Sequence, residues 1–229
     1  MRYVMSDIHG EYELFEALVE RLSVGAGDTI YIAGDIIDKG SRPIKLLNTV
    51  TGMKNVRCIL GNHEYEFLKY YHSLIDGKNT DYDKVLSCLE DYLGGDDTLT
   101  WESVDYLDSL PSYIEEDDII IVHSGAPTDS SGLIMPLSEA SVEELVYDRR
   151  FKEPGVIPRT DKCVFFGHTE VSVISGENKI IAYKSSDARG DNGIQSLCKV
   201  HLDTGCWHSG VLGCFAVEEC RCYYAIKQS

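Results

Sequence analysis

Five short apolar runs, Tyr3 to Met5, Thr29 to Ala33, Val56 to Leu60, Ile119 to Val122 and Val164 to Phe166, each lead into a turn that carries Asp, Asn or His beside Gly. The runs are too short for helices, rich in β-branched residues and bounded by turn formers, so they read as buried strands. The turns that follow them are Ser6-Asp7-Ile8-His9-Gly10, Gly34-Asp35-Ile36-Ile37-Asp38-Lys39-Gly40, Gly61-Asn62-His63-Glu64, His123-Ser124-Gly125 and Gly167-His168-Thr169. Ligands of open α/β sheets gather at the carboxyl ends of the strands. A fold that makes these strands neighbours therefore brings all five turns to one place.

Between the first two runs, Leu14, Leu18 and Leu22 recur every fourth residue with Phe15 and Val19 beside them, which predicts an amphipathic helix over Glu11 to Leu22. A second helix is expected to start near Pro43, a favoured first-turn residue. This alternation predicts a layered α/β architecture. From about Tyr65 to Tyr113 the pattern turns helical, with Val85, Leu86, Leu89 and Leu93 in one stretch and Val104, Leu107 and Leu110 in another, closed by Pro111. After Glu177 the runs Ile180 to Tyr183, Lys199 to Leu202, Val211 to Val217 and Arg221 to Ile226 predict a second sheet, and the polar stretch Lys184 to Ser196 a mobile loop. No repeat or linker interrupts the chain, so residues 1–229 are expected to form one domain with a helical insertion at about 65–113.

Composition narrows the function classes. Thirty-eight acidic against 21 basic residues give a net charge of −17, which opposes a broad footprint on nucleic acid or an anionic membrane. No apolar stretch is long enough to span a bilayer and no secretory segment follows Met1, so a cytoplasmic location is expected. None of the eight cysteines forms a C-x-x-C pair, and Cys198, Cys206, Cys214, Cys220 and Cys222 read as reduced, apolar strand residues, the last two on one strand face. Glu115 to Asp118 reads as a solvated acidic turn, and His72, His201 and His208 as surface or packing residues.

Four of the seven histidines, His9, His63, His123 and His168, fall just past strand ends in turns containing Gly. Imidazole, carboxylate and amide oxygen together suit divalent Mn, Fe or Zn better than an all-oxygen calcium cage. In order and content these motifs resemble the metallophosphoesterases, and within them the phosphoprotein phosphatase family, which includes bacterial and phage serine/threonine phosphatases and symmetrical dinucleoside tetraphosphatases. The resemblance runs from residue 1 to about Gly205, and takes in Leu107-Asp108-Ser109-Leu110-Pro111 and Asp203-Thr204-Gly205.

The resemblance implies a calcineurin-like fold of two β-sheets flanked by helices, and two divalent ions, Mn first with Fe or Zn as alternatives. By motif, Asp7 and His9 would hold the first ion, Asp35 would bridge both, and Asn62, His123 and His168 would hold the second. His63 would be the general acid, with Asp38 orienting its other ring nitrogen. The chain departs from the family at Asp38-Lys39-Gly40, where Asp-Arg-Gly is usual, so a point charge replaces a forked donor and Arg42 is a partial substitute. Arg149, or failing it Arg150, would be the second phosphate clamp. The implied reaction is hydrolysis of a phosphomonoester by metal-activated hydroxide. Phosphoserine or phosphothreonine in proteins is the first substrate reading, with diadenosine tetraphosphate and RNA ends as alternatives. The non-enzymatic reading is a catalytically weak metal-binding interaction module. The expected partner is thus a phosphorylated protein or a small phosphoester, with neither a membrane nor extended nucleic acid.

Overall fold

In the computed structural model, whose described residues are 1–76, 81–185 and 193–227, β1 (Arg2–Met5) crosses over through α1 (Tyr12–Leu22) to the parallel β2 (Thr29–Ile32). Strand β2 continues through α2 (Pro43–Gly52) to β3 (Val56–Cys58), again in parallel, with Ile32 opposite Cys58. Three helices follow, α3 (Asn62–Ile75), α4 (Tyr82–Leu93) and α5 (Trp101–Asp108). A second sheet then opens with β4 (Tyr113–Glu115) and β5 (Ile119–Val122), and passes through α6 (Val142–Tyr147) to β6 (Cys163–Phe166), parallel to β5.

The last third contains α7 (Ser172–Ser175), β7 (Ile181–Lys184), β8 (Leu197–His201), α8 (Cys206–Ser209), β9 (Val211–Ala216) and β10 (Arg221–Ile226). The sequence pattern predicts a sheet made of these four strands, but they divide between two sheets. Strands β7 and β8 extend the second sheet, in the order β4-β5-β6-β8-β7, whereas β9 and β10 return to the first, in the order β10-β9-β1-β2-β3. Period-2 alternation identifies a strand but not the edge it joins. The side of β9 is decided by Phe215, which pairs opposite Val4 and packs on Phe165 of the facing sheet, with ring centroids 5.5 Å apart.

The two sheets face each other. Val4, Tyr31, Ala33, Ile59 and Phe215 of the first meet Ile119, Ile121, Phe165 and Val200 of the second. Alternate residues turn outward, so Met5, Ile30 and Ile32 pack under the helices with Phe15, Leu18, Leu46 and Phe67, while Ile120, Val122 and Phe166 pack against Leu145 and Phe151. Two mixed sheets flanked by helices are the result. Each such fully buried side chain contributes about 1.5–3 kcal/mol of transfer free energy. Helices α4 and α5 bury Leu89, Leu93, Val104 and Leu107 in the same cluster as α2 and the first sheet.

The helical block starts earlier than its apolar pattern indicates, because α3 begins at Asn62. Asn62 and His63 are therefore first-turn helix residues rather than loop residues. Cys222 lies on β10, but Cys220 precedes it in a left-handed turn, and both lean on the inter-sheet core. The acidic turn is not simply solvated, since Asp118 accepts both terminal nitrogens of Arg2, at 2.6 and 2.7 Å. Residues 186–192 of the predicted mobile loop lie outside the described residues, and Ile194–Ser196 is a short 3-10 turn. All eight cysteines are free, and no described helix is long and apolar enough to cross a membrane.

Candidate metal centre

The carboxyl ends of β1, β2 and β3 in one sheet and of β5 and β6 in the other open onto a common hollow. Asp35 stands at its middle. Its Oδ2 lies 3.5 Å from His9 Nε2, 3.5 Å from His123 Nε2 and 3.9 Å from His63 Nε2. Two groups of three side chains share it, Asp35 with His9 and His63, and Asp35 with His123 and His168, the ligand atoms of each lying within 4.8 Å of one another. Asn62 joins the second group, its Oδ1 being 3.0 Å from His123 Nε2 and 2.8 Å from His168 Nδ1. Asp7 borders the hollow from β1, and both its oxygens accept from the His168 backbone N–H at 3.1 Å.

The backbone is bent to achieve this. Asp7, His9, Asp35, Asp38, Lys39 and His168 all have φ between 48° and 72°, a conformation costing on the order of 1–2 kcal/mol for a residue with a Cβ. Strain of this kind persists only where surrounding bonds over-determine it. Glu64, fully buried, supplies four such bonds, accepting from the N–H groups of Asp35, Ile36, Ile37 and Gly61 at 2.7–3.1 Å. It ties the strained Asp35 turn to the first turn of α3. Two glycines are required by close approach, since a Cβ on Gly61 would lie 2.1 Å from Asp35 Oδ1 and one on Gly167 would lie 2.0 Å from Asp7 Oδ2.

The donor set fits divalent cations. His9 Nδ1 donates to Ile37 O at 3.2 Å and His123 Nδ1 to Ala33 O at 2.8 Å, so in each neutral ring the lone pair is on Nε2 and faces the Asp35 carboxylate. Protonating these rings to relieve that opposition is disfavoured. Burial, then the Lys39 charge, holds His9 down to about 2, and burial drives His123 well below the ordinary imidazole value. His168 is held near 4 by burial and by Arg149, and its Nε2 is buried without a hydrogen-bond partner. Asp7 and Asp35 are pushed up, first by burial, then by Asp35 and Glu64 respectively. Imidazole lone pairs converging on buried carboxyls that are costly to ionise without a counter-charge are what a bound cation resolves.

The remaining sequence-predicted residues divide. His63 Nδ1 lies 2.7 Å from Asp38 Oδ2, with His63 Nε2 turned toward Asp35. Lys39 reaches inward, its Nζ 3.0 Å from His9 Nε2. Arg149 is exposed but close enough to act on the His168 charge, whereas Arg150 is held by Asp148 at 3.1 Å. The guanidinium of Arg42, the suggested partial substitute for the family arginine, is held by Asp97 at 2.9 and 3.2 Å. Of the unassigned histidines, His201 donates to Thr169 O beside His168 and stacks on Phe166, and His72 and His208 pair with Asp108 and Glu170.

Sequence reasoning missed the supports. Glu64 is the third residue of α3 and its side chain reaches back to the Gly61 N–H ahead of the helix, a spacing visible in Gly61-Asn62-His63-Glu64. Asp203 and Cys206 lie under Asp7: burial and then Asp7 push the Asp203 carboxyl up, and Cys206 Sγ donates to the Asp7 and Ile8 carbonyls at 3.1 Å. Their only signal is the Asp203-Thr204-Gly205 turn.

The chain is 30% identical over 128 residues to the symmetrical bis(5'-nucleosyl)-tetraphosphatase of Buchnera aphidicola subsp. Acyrthosiphon pisum (strain 5A), an alignment covering 54% of this chain and 43% of that protein. The match thus spans less than half the length of the curated relative. Among solved structures, a candidate diadenosine tetraphosphatase superposes with a TM-score of 0.68 at 17% identity, over 99% of this chain and 93% of that one. A serine/threonine phosphatase from Saccharomyces cerevisiae superposes with a TM-score of 0.59 at 15% identity, over 100% and 80%. Both likenesses are of fold. The sequence profile of the calcineurin-like phosphoesterases matches residues 3–202, from β1 past the end of β8, and the chain belongs to that family of metallophosphoesterase hydrolases.

Proposed function

We propose that the protein hydrolyses dinucleoside tetraphosphates, with two divalent cations held by Asp7, His9, Asp35, Asn62, His123 and His168. The observation that supports two cations is the Asp35 carboxylate, which stands within reach of His9 on one side and of His123 and His168 on the other. Manganese is the ion we assign first. Two ions so held would supply Lewis-acid charge for phosphoryl oxygens, lower the pKa of a water and leave a positive centre for a tetraphosphate within a protein of charge −17.

The chain's own groups do the rest. The Asp38 carboxylate accepts from His63 Nδ1 at 2.7 Å, which fixes the ring and directs Nε2 into the hollow to give a proton to the leaving oxygen. Arg149, exposed beside His168, and Lys39, beside His9, bind the flanking phosphates. The order of the substrate readings is reversed from that of the sequence. The curated relatives are named as tetraphosphatases, whereas the phosphoprotein reading has a likeness of fold behind it and no more.

The test is product release by Mn-loaded protein on diadenosine tetraphosphate, a phosphothreonine peptide and a phosphate-ended RNA. Preferential conversion of the first to two ADP supports the reading. Preference for the peptide or the RNA moves the substrate, and absence of turnover with two ions bound leaves the interaction module.

A further inference from the structure

Trp207 is 43% exposed, although the four-residue helix that carries it is held firmly. Cys206 anchors the start of α8 beneath the Asp7 turn, Ser209 Oγ donates to Thr204 O at 2.9 Å, and His208 Nε2 pairs with Glu170 at 3.3 Å. The support is fixed, yet it leaves a large part of the indole in solvent. Its neighbour is Lys39, whose Nζ lies 5.7 Å from the indole centroid and 3.0 Å from His9 Nε2. Two short steps therefore connect an exposed aromatic face to the metal centre, with a single cation in common.

We propose that Trp207 is the stacking platform for the nucleobase of a nucleoside polyphosphate, with Lys39 bridging from the ring to the phosphate chain. The choice of substrate class rests on the tetraphosphatase reading above. The ring and the ammonium answer the two halves of such a ligand, since every base offers a π-face and base-to-aromatic stacking contributes about 1–3 kcal/mol, while the phosphates take the cation. A phosphoserine or phosphothreonine peptide carries no aromatic group at a fixed distance from its phosphate. The point charge of Lys39 serves this geometry: a compact ammonium on a flexible stem can reach both the ring and the hollow.

The test is calorimetric binding of ADP and of inorganic pyrophosphate to Mn-loaded wild type, Trp207→Ala and Trp207→Phe. The ratio of ADP to pyrophosphate affinity should fall about tenfold in Trp207→Ala and return to within about twofold of wild type in Trp207→Phe. An unchanged ratio, or equal loss of both ligands, would overturn the platform. Trp207→Phe, which keeps an aromatic ring on α8, guards against misfolding as the cause. The same variants assayed on diadenosine tetraphosphate should show the loss in KM. If wild type prefers the phosphopeptide, the substrate reading fails while the ADP ratio still decides the role of Trp207.

Discussion

Lys39 Nζ donates at 3.0 Å to His9 Nε2, the one nitrogen of that ring that carries a lone pair. The lysine thus contacts the atom a cation would take and repels that cation. Lys39→Met should tighten Mn binding about two- to fivefold, the modest size expected of a largely exposed charge, while weakening phosphate binding. Lys39→Arg should preserve or raise phosphomonoesterase activity, because a forked donor replaces a point charge. Metal titration and steady-state kinetics check the pair, and a large loss in Lys39→Arg would show that the ammonium is specifically required.

His63 is placed to protonate a leaving oxygen, so its removal should depend on how much the leaving group needs a proton. His63→Ala should lower kcat about 10²- to 10⁴-fold on an alkyl phosphate, and less on p-nitrophenyl phosphate, with metal content retained. Asp38→Asn should cost about ten- to a hundredfold, the usual effect of losing an orienting partner. Equal losses on both substrates would remove the acid assignment.

Glu64 accepts four backbone N–H groups with its carboxylate fully buried. Glu64→Gln turns one acceptor into a donor facing donors, and should cost about 1–3 kcal/mol in urea unfolding. Because the same carboxylate holds the Asp35 turn, Mn affinity should fall as well. A stability loss with unchanged Mn affinity would confine Glu64 to the helix cap.

How much could be seen beforehand differs by residue. The strand turns announce Asp7, His9, Asp35, Asn62, His123 and His168 because metal-ligand residue types recur after buried runs, a local pattern. Glu64 was in view but unassigned, since nothing in a sequence tells whether a carboxylate faces water or four buried N–H groups. The division of the late strands between sheets was hidden for a different reason. Edge choice depends on contacts such as Phe215 on Phe165, made by residues remote in the chain. The pairing of Arg42 with Asp97 is not legible in the sequence, because the two lie 55 residues apart on either side of α4.

Lys199 offers a test of Arg149. Fully buried on β8, it donates to Phe151 O at 2.7 Å and Glu153 O at 2.8 Å, fastening the segment that follows Arg149. Lys199→Met should raise KM, and in an Arg149→Ala background it should raise KM little further. Fully additive losses would mean that Lys199 does not act through the arginine.

Acid stability should report the Arg2 contact. Hydrogen bonding to Arg2 holds the Asp118 carboxyl below its ordinary value of 3.8. A carboxyl with a depressed folded-state pKa contributes stability that is complete above the unfolded value and is lost as pH falls through the folded one. Asp118→Asn should therefore melt a few degrees lower at neutral pH, and the two melting curves should converge well below pH 3.8. A constant gap at all pH values would rule out this linkage.

The shared hollow also sets an order on biosynthesis. Asp7, His9, Asp35 and Asn62 are made first, but His123 comes 61 residues after Asn62, and His168 comes 106 residues after it. A ribosome-bound chain that has emerged only through α3 holds four of the six proposed ligands and three of the five strands of the first sheet, with no facing sheet. If these six residues hold the ions as proposed, tight capture would wait for β6 to dock, and the cation would be a seal on a finished molecule rather than a seed for an unfinished one.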